Sequence, residues 1–167
     1  MRVFLPSTLP ALAQALQAGH VGLVGSDPLP GFAVTPALRE AYASGDTEEL
    51  EYAALTEAAR ASLRMLAGDP GAPARRVVLA AEIPAGQVSW DARDGEPARV
   101  AIKQAITLTD LAAAHVDAPE AGTDVRSAAE ALPAADAGDE DARFTVDGAE
   151  GHELGWYATQ ELSYLAE

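Results

Sequence analysis

The chain has 167 residues, of which 49% are hydrophobic, and a formal net charge of −15. This length suits one domain, which buries about 70% of the surface that its unfolded chain exposes. Because the sequence has no cysteine, disulfides, thiolate nucleophiles and thiolate zinc sites are excluded. The negative charge opposes binding to nucleic acid, and no apolar run reaches the roughly 20 residues of a membrane span. We therefore expect a single cytoplasmic domain, residues 1–167, that binds neither nucleic acid nor a membrane.

Short hydrophobic runs predict about five strands. They lie at residues 2–5, 31–35, 77–83, 100–106 and 112–116, with a further brief run at 143–146. The run at 77–83 is apolar apart from Glu82, which is typical of a strand covered on both faces, so we expect it near the centre of a sheet. The run at 100–106 is its simplest antiparallel partner.

Helical spacing and capping residues predict several helices between and after these strands. They run from Ser7 or Thr8 to Gly19, over residues 37–43, from Asp46 to Gly68, over 123–132 and over 152–165. In the longest predicted helix, from Asp46 to Gly68, we expect one stripe of side chains to be buried: Tyr52, Leu55, Ala59, Ser62 and Leu66. Residues 20–30 and 133–141 predict loops. The fold class is therefore α+β, with a mixed or antiparallel sheet packed against several helices.

Standard catalytic and cofactor motifs do not occur in the sequence: there is no dinucleotide fingerprint, P-loop, nucleophile elbow or metalloprotease helix. His115 and Asp117 lie two apart on a predicted strand and face the same way. No nucleophile is identifiable beside them, so we expect a strand-end hydrogen bond rather than catalysis. We predict no cofactor and favour a protein that is not an enzyme.

Four acidic residues near the C-terminus follow the spacing of a calcium-binding loop. They are Asp139, Asp141, Asp147 and Glu150. Arg143 stands where the fifth-position ligand is needed, and Phe144 stands where the sharp turn requires glycine. We therefore expect a solvated acidic loop and no metal site.

Glu82 and Lys103 are each the lone charge in an otherwise apolar predicted strand. If the two strands pair, the two charges meet. A carboxylate partner favours the charged form of lysine, whereas a catalytic lysine needs its pKa lowered, so we expect a structural ion pair. The alternative is that both side chains point to solvent on one exposed face.

The C-terminal stretch concentrates polar and aromatic side chains in a chain that is only 5% aromatic. It supplies the candidate surface for a ligand or partner: His152, Trp156, Tyr157, Gln160 and Glu161. In a helix, His152, Trp156 and Gln160 share one face, and Tyr157 and Glu161 lie on the adjacent face. The alternative is that Trp156 and Tyr157 cap the core with their polar ends in water.

Four segments resemble a family of small acidic actinobacterial proteins of unknown function. They are residues 2–8, 32–39, 51–55 and 156–161. The resemblance extends over nearly the whole chain and implies a bacterial cytoplasmic protein. It brings no activity, cofactor or catalytic residue that could be transferred to this sequence.

A second, topological likeness is to the ADP-ribosyltransferase fold. In that fold an Arg or His on the first strand, a helix ending in Gly and a strand carrying Tyr, Ser or Thr build the nicotinamide site; Arg2, Gly19 and Thr35 match these places. The sequence departs from the pattern because residues 100–106 carry no Glu-x-Glu, and Gln104 is the nearest polar candidate. The likeness implies a degenerate nucleotide site at Arg2, Thr35 and Gln104.

The sequence favours a non-catalytic binding or regulatory protein, because no site unites a nucleophile, a base and stabilising donors. The alternative is a degenerate ADP-ribosyltransferase-like enzyme or another enzyme that uses a nucleotide or small molecule. A third hypothesis is a protein partner, or a homodimer that buries the Trp156 face.

Overall fold

A computed structural model describes residues 1–22 and 27–167. The strands are β1 (Arg2–Ser7), β2 (His20–Val21), β3 (Leu29–Phe32), β4 (Val77–Glu82), β5 (Val88–Trp90), β6 (Arg99–Ile102), β7 (Ile106–Thr107), β8 (Leu111–Val116) and β9 (Gly155–Tyr157). The α-helices are α1 (Leu9–Ala18), α2 (Pro36–Ala41), α3 (Thr47–Ala67), α4 (Gly122–Asp136), α5 (Glu140–Glu150) and α6 (Leu162–Leu165). Of the loop predicted at 20–30, residues 23–26 lie outside the described part of the chain.

Seven strands form one antiparallel sheet in the order β5-β6-β3-β1-β4-β8-β9, and β2 pairs separately with β7. The antiparallel α+β class is therefore confirmed. The expected number of about five strands is wrong for the sheet, because β5 and β9 have only three residues each and are too short to give a hydrophobic pattern.

The sheet is packed on both faces. Alternate residues of β1 point to opposite sides, so Val3 and Leu5 join one core and Phe4 joins the other. The first core includes Leu12 of α1 and Leu162 of α6. The second places α2 and α3 over the sheet, and a third packs α3 against α4 and α5. Helix α3 is therefore the element that joins the sheet to the helical layer.

The capping residues predicted for α1 and α3 are confirmed. Thr8 accepts a hydrogen bond from the Ala11 amide at 3.2 Å, and Asp46 accepts one from the Glu49 amide at 2.8 Å. Gly19 ends α1 with a φ of 86°, a left-handed conformation that favours glycine. These helix boundaries are set by short-range contacts, which is why the sequence alone predicts them.

The buried face of α3 differs from the predicted stripe in the first half of the helix. It consists of Leu50, Ala54, Ala58, Ala59, Ser62, Leu63 and Leu66. The predicted stripe is wrong at Tyr52, whose side chain is 57% exposed. Alanines occupy the middle of the face, and small side chains let α3 lie close to the sheet.

The strand predicted at 100–106 does not pair with β4. Strands β1 and β8 pair along almost the whole of β4, so β6 pairs instead with β3 and β5. The ion pair predicted between Glu82 and Lys103 is therefore wrong. Glu82 binds the Arg2 Nε at 2.6 Å and the Met1 ammonium at 3.5 Å. Both Glu82 and Lys103 are exposed, which agrees with the alternative in that both side chains reach solvent.

The C-terminal third differs most from the prediction. The brief strand at 143–146 is wrong, because α5 covers these residues and Asp139 caps it by accepting from the Ala142 amide at 3.0 Å. The helix predicted at 152–165 is wrong over its first half, where β9 adds to the outer edge of β8. Of that segment, α-helix occurs only at Leu162–Leu165.

A buried ion pair joins three elements at one end of the sheet. Arg76 donates from Nε and Nη2 to the two Asp117 carboxylate oxygens, both at 2.8 Å. Its Nη2 also donates to the carbonyls of Ala149 and His152, both at 3.0 Å. The start of β4, the end of β8 and the end of α5 are therefore held together. For Asp117 this is the strand-end hydrogen bond that the sequence predicts.

Replacement of Asp117 should be strongly destabilising. We expect Asp117→Asn to lower the free energy of unfolding by about 3–5 kcal/mol, because it leaves the buried Arg76 charge without its partner. The control Asp136→Asn breaks a half-exposed pair with Arg64 and should cost about 0–1 kcal/mol. Urea denaturation at pH 7 measures both variants, and similar losses would contradict the assigned role of Arg76.

Candidate functional site

A groove of about 760 Å³ lies between α3 and the loop that joins β5 to β6. We call it the arginine groove. It is lined by Pro6, Pro30, Phe32, Thr56, Glu57, Arg60, Ala61, Arg64, Met65, Arg93, Asp94, Gly95, Glu96, Arg99, Asp136 and Glu150. The sheet supplies the floor, α3 and the β5–β6 loop supply the walls, and the ends of α4 and α5 close one end.

The floor of the groove forms where the hydrogen bonding between β1 and β3 stops. The two strands pair at Phe4 and Phe32, and the same antiparallel register sets Pro6 opposite Pro30. Proline has no amide hydrogen, so the ladder cannot continue through these two residues. Gly31, next to Pro30, is covered by the Ile102 side chain, and a Cβ added at this glycine would lie 2.9 Å from Ile102 Cδ1. Both prolines therefore line the groove.

Arginine is concentrated in this groove. Arg60, Arg64, Arg93 and Arg99 line it, which is four of the 11 basic residues of the chain. Five carboxylates also line it, so its formal charge is close to balance. The rest of the chain carries nearly all of the net charge of −15. The groove thus opposes an anion less than this acidic surface does on average.

Carboxylates hold each of the four arginines in place. The pairs are Arg60 with Glu150 at 2.8 Å, Arg64 with Asp136 at 3.0 Å, Arg93 with Asp91 at 3.2 Å, and Arg99 with Asp91 at 3.3 Å and Glu96 at 3.5 Å. Arg60, Arg64 and Arg93 each donate from a single nitrogen to these partners. A guanidinium has donors on three nitrogens. The carboxylates therefore orient the arginines without using all of their donors.

Glu57 lies in the wall that α3 contributes. Its Oε1 accepts a hydrogen bond from the Ala98 amide at 3.0 Å. Burial raises the pKa of Glu57 to about 7; the Ala98 hydrogen bond opposes the rise, and the Glu96 charge adds to it. Near neutral pH this side chain is therefore shared between its neutral and ionised forms.

A second concavity of about 710 Å³ adjoins the groove. We call it the tyrosine cleft. It is lined by Tyr42, Glu48, Glu49, Tyr52, Ala53, Thr56, Glu57, Gly95 and Pro97. Tyr42 is 49% exposed and Tyr52 is 57% exposed, so about half of each tyrosine is open to solvent.

The structure does not place the predicted C-terminal surface on a helix. Trp156 and Tyr157 are neighbours on β9 and point to opposite faces: Trp156 is 64% exposed, and Tyr157 packs against the core that contains α1. His152 Nε2 lies 2.7 Å from an Asp124 carboxylate oxygen. Gln160 and Glu161 are exposed, and the helical faces predicted for these five residues are wrong.

The residues of the predicted nucleotide site are placed apart. Arg2 begins β1, and Thr35 is buried, where its hydroxyl caps α2. Gln104 lies beyond the end of β6 that pairs with Leu29, which is the sheet end opposite Arg2. None of the three lines the arginine groove or the tyrosine cleft.

His115 contacts an aromatic ring rather than a catalytic partner. Its ring lies edge-on to Phe4 with centroids 6.4 Å apart. Burial lowers the pKa of His115, and the nearby Arg2 charge lowers it further. The neutral imidazole is therefore favoured, as expected for a half-buried histidine side chain.

The acidic spacing near the C-terminus does not form a loop. Asp139 caps α5, and Asp141, Asp147 and Glu150 lie within that helix. Over residues 1–22 and 27–167, no three His, Asp or Glu side chains are grouped as metal ligands. In the same residues, no helix has the length and apolar character needed to cross a membrane.

Sequence reasoning missed the groove because its residues look like a solvated helix face. In the sequence, Glu57, Arg60 and Arg64 lie on the opposite side of α3 from its predicted buried stripe, so the pattern predicts that they face solvent. The available signal was the clustering of two arginines one turn apart in a chain with 11 basic residues. Their meeting with Arg93 and Arg99 depends on tertiary contacts.

A family model described as a family of unknown function (DUF6912) matches residues 1–166. No curated protein and no solved structure matches the chain. The resemblance to a family of unknown function is confirmed over nearly the whole chain, and its actinobacterial origin stays a prediction.

Glu57 should make stability fall with rising pH. The folded state keeps a proton on Glu57 up to about pH 7, whereas the ordinary pKa is 4.5, so the folded state binds more protons between these values and loses stability as pH rises through them. We expect Glu57→Gln to gain stability over the wild type across that window. The exposed Glu130→Gln is the control, and urea denaturation from pH 5 to 8 measures all three. Parallel profiles for the wild type and Glu57→Gln would contradict this assignment.

Proposed function

We propose that this chain, which belongs to DUF6912, is a non-catalytic binding protein whose arginine groove holds an anionic small molecule. The observation that carries the proposal is the presence of four of the 11 basic residues in one groove of a chain with a net charge of −15. Anions are repelled by most of this acidic surface. Charge complementarity therefore favours the groove over other surfaces for an anionic ligand.

The arginines suit recognition of carboxylate or phosphate groups. Planar guanidinium groups match these anions with paired hydrogen bonds, and such charge-assisted bonds are stronger than neutral ones. Because the partner carboxylates already orient Arg60 and Arg64, less side-chain freedom is lost when a ligand binds. These features support tight contact with a compact anion.

The chemistry of the lining supports binding rather than catalysis. Among the residues that line the groove, Thr56 supplies the hydroxyl, and its Oγ1 donates to the Tyr52 carbonyl at 3.0 Å. That bond lies within α3 and gives the hydroxyl no general base. Glu57 titrates near neutral pH, but no activated nucleophile accompanies it in the lining.

Anion binding should depend on the arginines of α3. We expect inorganic phosphate, pyrophosphate or citrate to raise the Tm of the wild type, because a ligand of the folded state stabilises it. The double variant Arg60→Gln/Arg64→Gln should bind at least about tenfold more weakly, since each lost charge-assisted hydrogen bond is worth about 1.5–3 kcal/mol. Thermal shift and titration calorimetry measure the two effects.

The control is Arg39→Gln/Arg143→Gln, which removes two exposed arginines outside the groove with the same change in net charge. These multivalent anions also stabilise proteins in general by exclusion from the surface, and that effect is common to all variants. Equal shifts in the two double variants, or no shift beyond the general effect, would contradict the proposal.

A second candidate function is self-association through β9, which corresponds to the homodimer given as a third hypothesis from the sequence. It is favoured by Trp156, which is 64% exposed on the edge strand β9. An edge strand presents unpaired backbone groups that can pair with another chain, and a tryptophan beside them adds apolar contact area.

Self-association should depend on Trp156. We expect light scattering after gel filtration to give twice the chain mass for the wild type and the chain mass for Trp156→Ser. The control Trp90→Ser alters an exposed tryptophan on the opposite edge strand, β5, and should leave the dimer intact. A wild type that stays monomeric at all concentrations would rule this interface out.

A further inference from the structure

We infer that the arginine groove and the tyrosine cleft are two halves of one site, which takes an anion joined to a planar ring. The inference rests on the proposed function and adds the second half of the ligand. Thr56, Glu57 and Gly95 line both concavities. A ligand that lies across these three residues touches both halves at once.

The tyrosine cleft offers aromatic faces for a ring. Tyr42 and Tyr52 are two of the four tyrosines of the chain, and both line the cleft with about half of the side chain exposed. Ala53 and Pro97 add apolar surface to the same lining. Planar rings of different kinds stack on tyrosine, because stacking does not depend on a particular set of hydrogen-bond donors and acceptors.

The two halves are connected along α3. Tyr52, Thr56, Arg60 and Arg64 are spaced four residues apart, and this spacing keeps successive side chains on nearly the same side of a helix. Tyr52 and Arg60 are separated by about 12 Å along the helix axis. That is the scale of a ring joined to a phosphate or carboxylate through a sugar-sized linker.

Glu57 lies at the junction of the two halves. The Ala98 amide holds its Oε1 at 3.0 Å, so the carboxyl group is fixed at the boundary. A half-buried carboxyl that is neutral in part of the molecules can donate as well as accept a hydrogen bond. It therefore suits a hydroxyl or ring nitrogen between the two ends of the ligand.

Titration calorimetry with three probes tests the inference: inorganic phosphate as the anion alone, adenosine as the ring alone, and adenosine 5′-monophosphate as both. We expect the monophosphate to bind the wild type at least about tenfold more tightly than either part, within the range of aromatic stacking. Tyr52→Ala should reduce its affinity to that of phosphate and leave phosphate binding unchanged. The control Tyr164→Ala, an exposed tyrosine outside the cleft, should match the wild type.

The outcomes separate this inference from the proposed function. If phosphate binds in an arginine-dependent way and the monophosphate binds no more tightly, the two-part site is wrong and the anion groove stands. If Tyr52→Ala loses the monophosphate while Arg60→Gln/Arg64→Gln keeps it, the anion groove is wrong. If no probe binds, both are wrong.

Discussion

The buried pair of Arg76 and Asp117 is the contact on which the rest of the arrangement depends. It fastens the start of β4 to the end of β8, and the same guanidinium holds the carbonyls of Ala149 and His152 at the end of α5. Glu150, which follows Ala149 directly, is the carboxylate that orients Arg60. An interaction that closes the sheet against the helical layer therefore also sets one end of the arginine groove.

The groove forms where the backbone hydrogen bonding of the sheet is interrupted. Pro6 and Pro30 stop the ladder between β1 and β3, and the interval is covered by α3 and the β5–β6 loop rather than by further hydrogen bonds. The charges that collect there balance one another, whereas the remaining surface is strongly acidic. Glu57 at the boundary with the tyrosine cleft couples the charge of the groove to pH. The geometry thus combines an anion-binding half and an aromatic half along one helix.

Short-range features of the fold were predictable from the sequence. Thr8, Gly19 and Asp46 act within a few residues of their own position, and the apolar run of β4 does identify an interior strand of the sheet. Strand partners were not predictable in this way, since β6 has the pattern of a partner for β4 and pairs elsewhere because β1 and β8 already flank β4. The site was missed for the same reason. Arg60 pairs with Glu150, 90 residues away. Local patterns of hydrophobic and charged residues do not predict contacts between residues that are so far apart in the sequence.

An anion that binds in the arginine groove must contact the guanidinium groups that line it. The most direct measurement is nuclear magnetic resonance of the arginine Nε–H groups during titration with adenosine 5′-monophosphate. We expect the signals of Arg60, Arg64, Arg93 and Arg99 to shift together with one saturating curve, while exposed arginines outside the groove stay unchanged. Shifts confined to arginines outside the groove, or uniform shifts of all exposed arginines, would contradict binding in the groove.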